Sequence, residues 1–178
     1  MNGAIFFSGQ YGSTAQYSQW IGDATGLPVY DINQPHPALS NFSFLILGSS
    51  IIIGKLTIRQ WIAKHLAEIV NKPVVLFSVA GAPPGPERNV WIEKSLPKVL
   101  APTIQHFALR GRLDLNNIGW WTKLVLKIGA WATKDDQEKH EMTLGFDFMN
   151  KADIEPIVKS IMQLKSKETL TTDQTVPC

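Results

Sequence analysis

Cysteine is almost missing from this chain: the single one, Cys178, is the last of 178 residues. No intrachain disulfide can form, so the fold has to be held by its core, and a reducing compartment is permitted. An excess of one charge is missing as well. Lys and Arg number 17 against 15 Asp and Glu, a formal net charge of +2, and no basic field of the kind a nucleic-acid partner requires stands out along the sequence. No apolar run reaches spanning length, because Asn41, Ser43 and the glycines nearby interrupt it. The first residues lack the basic start, apolar run and small-residue cleavage site of a secretory leader, which points to a cytoplasmic protein.

Several chemical signatures are missing too. There is no Gly-Lys-Ser/Thr phosphate loop, no G-x-G-x-x-G fingerprint, and no G-x-S-x-G elbow with an assignable His/Asp partner. The paired acids that a receiver-type phosphorylation site places after its first strand do not occur. His36, His65, His106 and His140 are scattered without metal-ligand spacing, and the run Asp135, Asp136, Glu138 and Glu141 reads as a solvated segment, so no metal is expected.

What is present is an alternation of short apolar runs and helical periodicity. Ala4 to Phe7 forms a continuous apolar run that stops at Ser8-Gly9, the pattern of a strand buried on both faces. From Thr14 on, Tyr17, Trp20, Ile21 and Ala24 recur at helical spacing, and Gly26 stands at a C-cap position. Val29 to Ile32 reads as a brief second strand, followed by a short irregular connection around Pro35-His36-Pro37. Phe44 to Leu47 is a third strand, ending at Gly48-Ser49-Ser50, with a helix carrying Ile58, Trp61, Ile62, His65, Leu66 and Ile69 behind it. Val74 to Phe77 is a fourth strand, ending at Ser78 before a loop of Gly81, Pro83, Pro84, Gly85 and Pro86. Ile104 to Leu109 is a fifth, and Ile154, Ile157, Val158, Ile161 and Leu164 mark a closing helix.

Strands alternating with helices predict an open, doubly wound α/β sheet of five parallel strands. With 44% hydrophobic and 18% charged residues, the chain reads as one domain over residues 1–167, followed by an aperiodic Thr-rich tail, 168–178, expected to be disordered. An insertion at about 110–149 is too long for an ordinary connection. Its Trp120, Trp121 and Trp131, with Leu124 to Ile128, suggest a helix, and Met142 to Phe148 a short strand.

The strongest chemical signal is Ser8-Gly9-Gln10-Tyr11-Gly12-Ser13-Thr14, set between strand one and helix one. Successive backbone N–H groups in a small-residue loop form an anion nest, to which the helix N-terminus and hydroxyls add. The same spacing also suits an N-cap turn that binds nothing. Two further small-residue phrases, Gly48-Ser49-Ser50-Ile51-Ile52-Ile53-Gly54 and Phe77-Ser78-Val79-Ala80-Gly81, end strands three and four.

In that chain order the three phrases resemble the loops of the flavodoxin-like family, in particular the branch that includes the quinone-dependent protoporphyrinogen dehydrogenases. The aromatic insertion, with Arg112, Trp120, Trp121 and Lys123 ahead of an apolar stretch, is similar to that branch's own. The resemblance covers about residues 3 to 165 and implies a strand order 2-1-3-4-5 with a crevice between the loops after strands one and three. It implies FMN as cofactor. Ser8, Gln10, Tyr11, Gly12, Ser13 and Thr14 would take the phosphate, while Ser49, Ser50, Ile51, Ile52, Gly54, Ser78, Val79, Ala80 and Gly81 would hold the ring. Where many flavodoxins stack an aromatic residue on the ring, Ile51 to Ile53 offer aliphatic contacts.

The resemblance further implies an FMN-dependent oxidoreductase or electron carrier, with a redox partner or a quinone- or tetrapyrrole-like substrate and peripheral membrane contact through the Trp-rich insertion. A flavodoxin-fold binding or regulatory module without the cofactor is the alternative. Because the three loops hold no Asp or Glu and Lys55 and Arg88 lie just beyond them, a bound flavin is expected to be easier to reduce than in an acidic flavodoxin.

Overall fold

The computed structural model describes residues 2–113 and 146–173, with side chains up to residue 166. The apolar runs form the centre of a parallel sheet. In chain order the elements are β1 (Gly3–Ser8), α1 (Ser13–Thr25), β2 (Val29–Asp31), β3 (Phe44–Ile52), β4 (Lys55–Leu56), α2 (Arg59–Lys64), α3 (Leu66–Ile69), β5 (Val74–Ala80), α4 (Pro86–Ser95), β6 (Gln105–Arg110), β7 (Arg112–Leu113), β8 (Phe146–Asp147) and α5 (Glu155–Asp173). Single 3-10 turns at Leu39–Asn41 and Lys151–Ile154 fill the connections before β3 and α5.

Five strands pair in the order β2-β1-β3-β5-β6, all parallel, and β4 folds back antiparallel on the end of β3. This is the doubly wound arrangement the sequence predicts, with its fourth and fifth strands as β5 and β6. Alternate side chains divide between two cores. Phe6, Leu45, Leu47 and Leu76 pack under Ile58, Ile62, Ile69 and Ile92 of the α2–α4 side. Ile5, Ile46, Val75 and Phe77 pack under Tyr17 and Ile21 of α1 and Ile157 and Ile161 of α5. Each such aliphatic or aromatic side chain contributes about 1.5–3 kcal/mol by leaving water.

The structure corrects the sequence reading in four places. Strands β3 and β5 do not stop at Gly48 and Ser78 but continue to Ile52 and Ala80. Gly48, Ser49 and Ser50 pair with Phe77, Ser78 and Val79, and a strand whose main chain is paired is not ended by small polar side chains. The helix expected over Ile58 to Ile69 is split at His65, whose backbone leaves the helical region at φ −103°, ψ 19° while its N–H closes the last turn of α2 on Trp61 O. Helix α4, with Pro86 in its first turn, is not apparent from the sequence because it is mostly polar. The last helix continues past Lys167 to Asp173, where an aperiodic tail is expected. The helix expected around Trp120 to Ile128, the start of the strand expected from Met142, and the tail from residue 174 lie outside the described residues.

Helix α1 is fastened to the far edge of the sheet through one buried phenol. The Tyr17 hydroxyl donates to Arg110 O at 2.9 Å and accepts from Asn150 N–H at 3.2 Å, so it joins α1, the end of β6 and the approach to α5. Burial pushes its pKa up, which keeps it a donor throughout the physiological range. Tyr17→Phe leaves two main-chain groups without their partner and is expected to cost about 1–3 kcal/mol in urea unfolding, with native circular dichroism retained.

Candidate functional site

In this strand order the chain leaves β1 toward β2 on one side and the sheet continues toward β3 on the other, which opens a crevice beyond the C-terminal ends of β1 and β3. The three small-residue phrases meet there. Across the sheet Ser8 pairs with Ser49, and Ser49 with Ser78, so the three serines form one row.

The first loop, Gly9 to Gly12, is largely exposed and enters α1 through Gly12 in the left-handed region, φ 84°. A residue with a Cβ would be strained there. No side chain caps this helix, and the N–H groups of its first turn have no acceptor within the helix. The hydroxyls that follow are committed elsewhere. Ser13 Oγ accepts from Arg112 N–H at 2.9 Å, and Thr14 Oγ1 lies 2.8 Å from Ser50 Oγ, fully buried. Both fasten the loop to neighbouring segments.

The second phrase is the end of β3 and a two-residue turn. Ile53 and Gly54 have φ 48° and 64°, the double positive φ that a tight hairpin link requires. Ile53 is 80% exposed, and a β-branched residue in this region carries a cost of about 1–2 kcal/mol. Ser49 Oγ accepts from Ile58 N–H at 3.3 Å, and Thr57 Oγ1, beside it, donates to Ser8 O at 2.9 Å. Ser49 therefore holds the start of the next helical segment.

The third phrase, with the hairpin, walls a cavity of about 490 Å³ lined by Ile51, Ile53, Gly54, Ala80, Gly81, Ala82 and Trp91. Trp91 comes from α4: its Cδ1 and Nε1 lie 3.3 Å from where a Cβ on Gly54 would sit. The hairpin is tied to the same helix, since Leu56 N–H donates to Ser95 Oγ at 3.1 Å, which donates to Trp91 O at 2.7 Å. Of the residues the sequence assigns to ring binding, Ile51, Gly54, Ala80 and Gly81 line the cavity. Ile52, Ser49, Ser50, Ser78 and Val79 do not, and Val79 belongs to the core under α1 and α5. Ile53, expected as an aliphatic contact, lines the cavity as well, and the reading missed Ala82 and Trp91.

It also missed the role of Arg88, which is the largest fully buried side chain in the described residues. Its Nη2 donates to Ser78 O at 2.5 Å, Ser78 Oγ at 3.1 Å and Leu109 O at 2.7 Å, and its Nη1 donates to Ala82 O at 3.3 Å. Its Nε has no partner. Burial, with the charge of Arg110 second, lowers its pKa to about 10, so it stays protonated at neutral pH. The signal was in the spacing: Arg88, Ile92 and Leu96 repeat at four residues, which places the arginine on the buried stripe of α4.

Arg88 also fixes the state of a neighbour. Ser78 Oγ, accepting from Arg88, also lies 2.9 Å from His106 Nε2, and either atom can be the donor of that bond. Burial, with the Arg88 charge second, lowers the His106 pKa to about 4. Arg110 donates to Gly81 O at 2.9 Å and lies 3.4 Å over the Phe148 ring. No cluster of three or more metal-ligating side chains occurs among the described residues, and none of their helices is long and apolar enough to cross a membrane.

A profile of the flavodoxin domain family matches residues 4–140 of the chain. No curated protein matches it. Three solved structures are similar over part or most of the chain. Two are candidate flavoproteins, from Bacteroides eggerthii DSM 20697 (17% identity, 60% of this chain and 84% of that one, TM-score 0.42) and Bacteroides uniformis ATCC 8492 (15%, 61% and 88%, 0.44). The third is a flavodoxin from the domain Archaea (14%, 89% and 99%, 0.40).

Two measurements probe this geometry directly. His106 is neutral in the fold down to about pH 4 but titrates near 6.5 once unfolded. The unfolded chain then binds the extra proton between those values, and stability falls as pH drops through that window. Urea unfolding at pH 7 and pH 5 should show a smaller loss for His106→Gln than for the parent. Ile53→Asn, which relieves the turn without removing a buried group, should raise unfolding stability by about 1 kcal/mol.

Proposed function

The chain belongs to the flavodoxin domain family, and we propose that it binds flavin mononucleotide at the crevice and carries electrons through it. The observation that carries the reading is the cavity between the Ile53-Gly54 turn, Ala80 to Ala82 and Trp91. It adjoins the loop that ends at the N-terminus of α1 through the Thr14–Ser50 contact. An open cavity whose lining combines Ile51, Ile53 and Trp91 with the small residues Gly54 and Ala80 to Ala82 suits a flat ring, and a small-residue loop at a helix start suits a phosphate.

Ile51 and Ile53 would hold one side of the ring and Trp91 the other, with the main chain of Gly54 and of Ala80 to Ala82 available to its polar edge. Gly9, Gln10, Tyr11 and Gly12 would take the phosphate on their N–H groups, with Ser13 and Thr14 keeping the loop in shape. The flavin itself supplies the electron-transfer chemistry when bound. A redox protein or a quinone-like acceptor is the partner we assign. What supports a quinone or tetrapyrrole-like substrate, and contact with a membrane surface, is the sequence of the segment bearing Trp120, Trp121 and Trp131.

Mass identification of the chromophore released from purified protein tests the cofactor, and a colourless protein that cannot be reconstituted would favour a cofactor-free binding module. Gln10 is exposed, so Gln10→Glu adds a negative charge to the loop without disturbing the core. It is expected to weaken FMN about tenfold and leave riboflavin, which has no phosphate, unchanged. Equal weakening of both ligands would remove the phosphate from this loop.

A further inference from the structure

We infer that the buried guanidinium of Arg88 is a positioning residue that makes the cavity hold a flavin more tightly in its reduced, negatively charged form than in its oxidised, neutral form; this rests on the flavin reading of the site. Arg88 is 1% exposed, and the groups it donates to are neutral: three carbonyls and one hydroxyl. Its Nε finds no acceptor, and among the described residues no carboxylate pairs with it. A cation taken from water and held only by dipoles is costly to the fold. An arriving negative charge offsets that cost, and a neutral group does not.

The placement is specific to the cavity. Arg88 donates to the carbonyl of Ala82, and Arg110 to the carbonyl of Gly81, so two guanidinium groups are anchored on consecutive wall residues. Lys55 follows Gly54 in the chain, just beyond the lining residues, and no acidic residue lines the space. A ring that takes up two electrons and one proton from an added reductant such as dithionite changes from neutral to one negative charge. Arg88 acts on that charge alone. The difference between the two affinities is, by linkage, a rise in the midpoint potential of the bound flavin.

A merely structural role, in which Arg88 ties carbonyls together, would alter both affinities alike. The test is the ratio of FMN dissociation constants, oxidised over dithionite-reduced, measured anaerobically on the full chain. The parent should favour the reduced form by about tenfold or more. Arg88→Gln should bring the ratio down about tenfold, while Arg88→Lys, which keeps the charge, should retain most of it. A parental ratio of one or less overturns the inference, as does a ratio unmoved in a folded Arg88→Gln. Should that variant fail to fold, the parental ratio and that of Arg88→Lys decide. If neither redox form of FMN binds the parent, the flavin reading itself falls, an outcome distinct from binding without preference.

Discussion

One guanidinium holds the working edge of this molecule together. Where β5 and β6 leave the sheet, the carbonyls of Ser78 and Leu109 and that of Ala82 in the following loop all turn to Arg88. Because Arg88 sits in the first turns of α4, these bonds also fix where that helix starts. Trp91, one turn on, then falls against Gly54, and Ser95 catches the main chain of Leu56. The wall of the cavity from Ala82 to Trp91 thus hangs on one side chain. Burial, with the same charge second, keeps His106 neutral beside Ser78.

The other half of the crevice is organised by hydroxyls. Thr14 meets Ser50, Ser13 holds the main chain at Arg112, and Thr57 spans from Ser49 to the carbonyl of Ser8. These groups pre-order the loops, since each bond made within the protein removes a conformation that a ligand would otherwise have to select. What they leave for a ligand is main chain. A loop of Gly, Gln, Tyr and Gly that enters a helix N-terminus through a left-handed Gly12 is the backbone shape of an anion nest, which depends on main chain more than on the side chains beside it.

That division explains what was legible in the sequence. The strands and the two faces follow from apolar runs and helical periodicity, because Phe6, Leu47 and Phe77 must be buried wherever the strands lie, whereas the sheet order came from the family resemblance. The ends of β3 and β5 were misjudged because Ser49 and Ser78 look like loop residues until a neighbouring strand pairs with them. Hydroxyls expected to meet a ligand proved to bond other segments, a matter of tertiary register that no local spacing encodes. Helix α4 was overlooked because its buried stripe begins with an arginine. Charged residues on a buried stripe are rare enough that the periodicity is easily passed over, yet Trp91 and Arg88, the two side chains that shape the cavity from that side, both lie on it.

The Ile53-Gly54 turn shows the same setting of stability against site geometry. Pairing of Ile51 with Leu56 and Ile52 with Lys55 leaves only two residues to reverse the chain, and that link demands positive φ at both. Asn-Gly would meet the demand without strain. Isoleucine meets it at a cost and presents its side chain, 80% exposed, at the rim of the cavity. The bonds of Thr57 N–H to Ser50 O and Leu56 N–H to Ser95 Oγ hold the hairpin against that cost. An apolar surface is what this residue supplies and what asparagine would not. Its exposure to water is unfavourable, so a flat, apolar ligand that covered it would stabilise the tip of the hairpin.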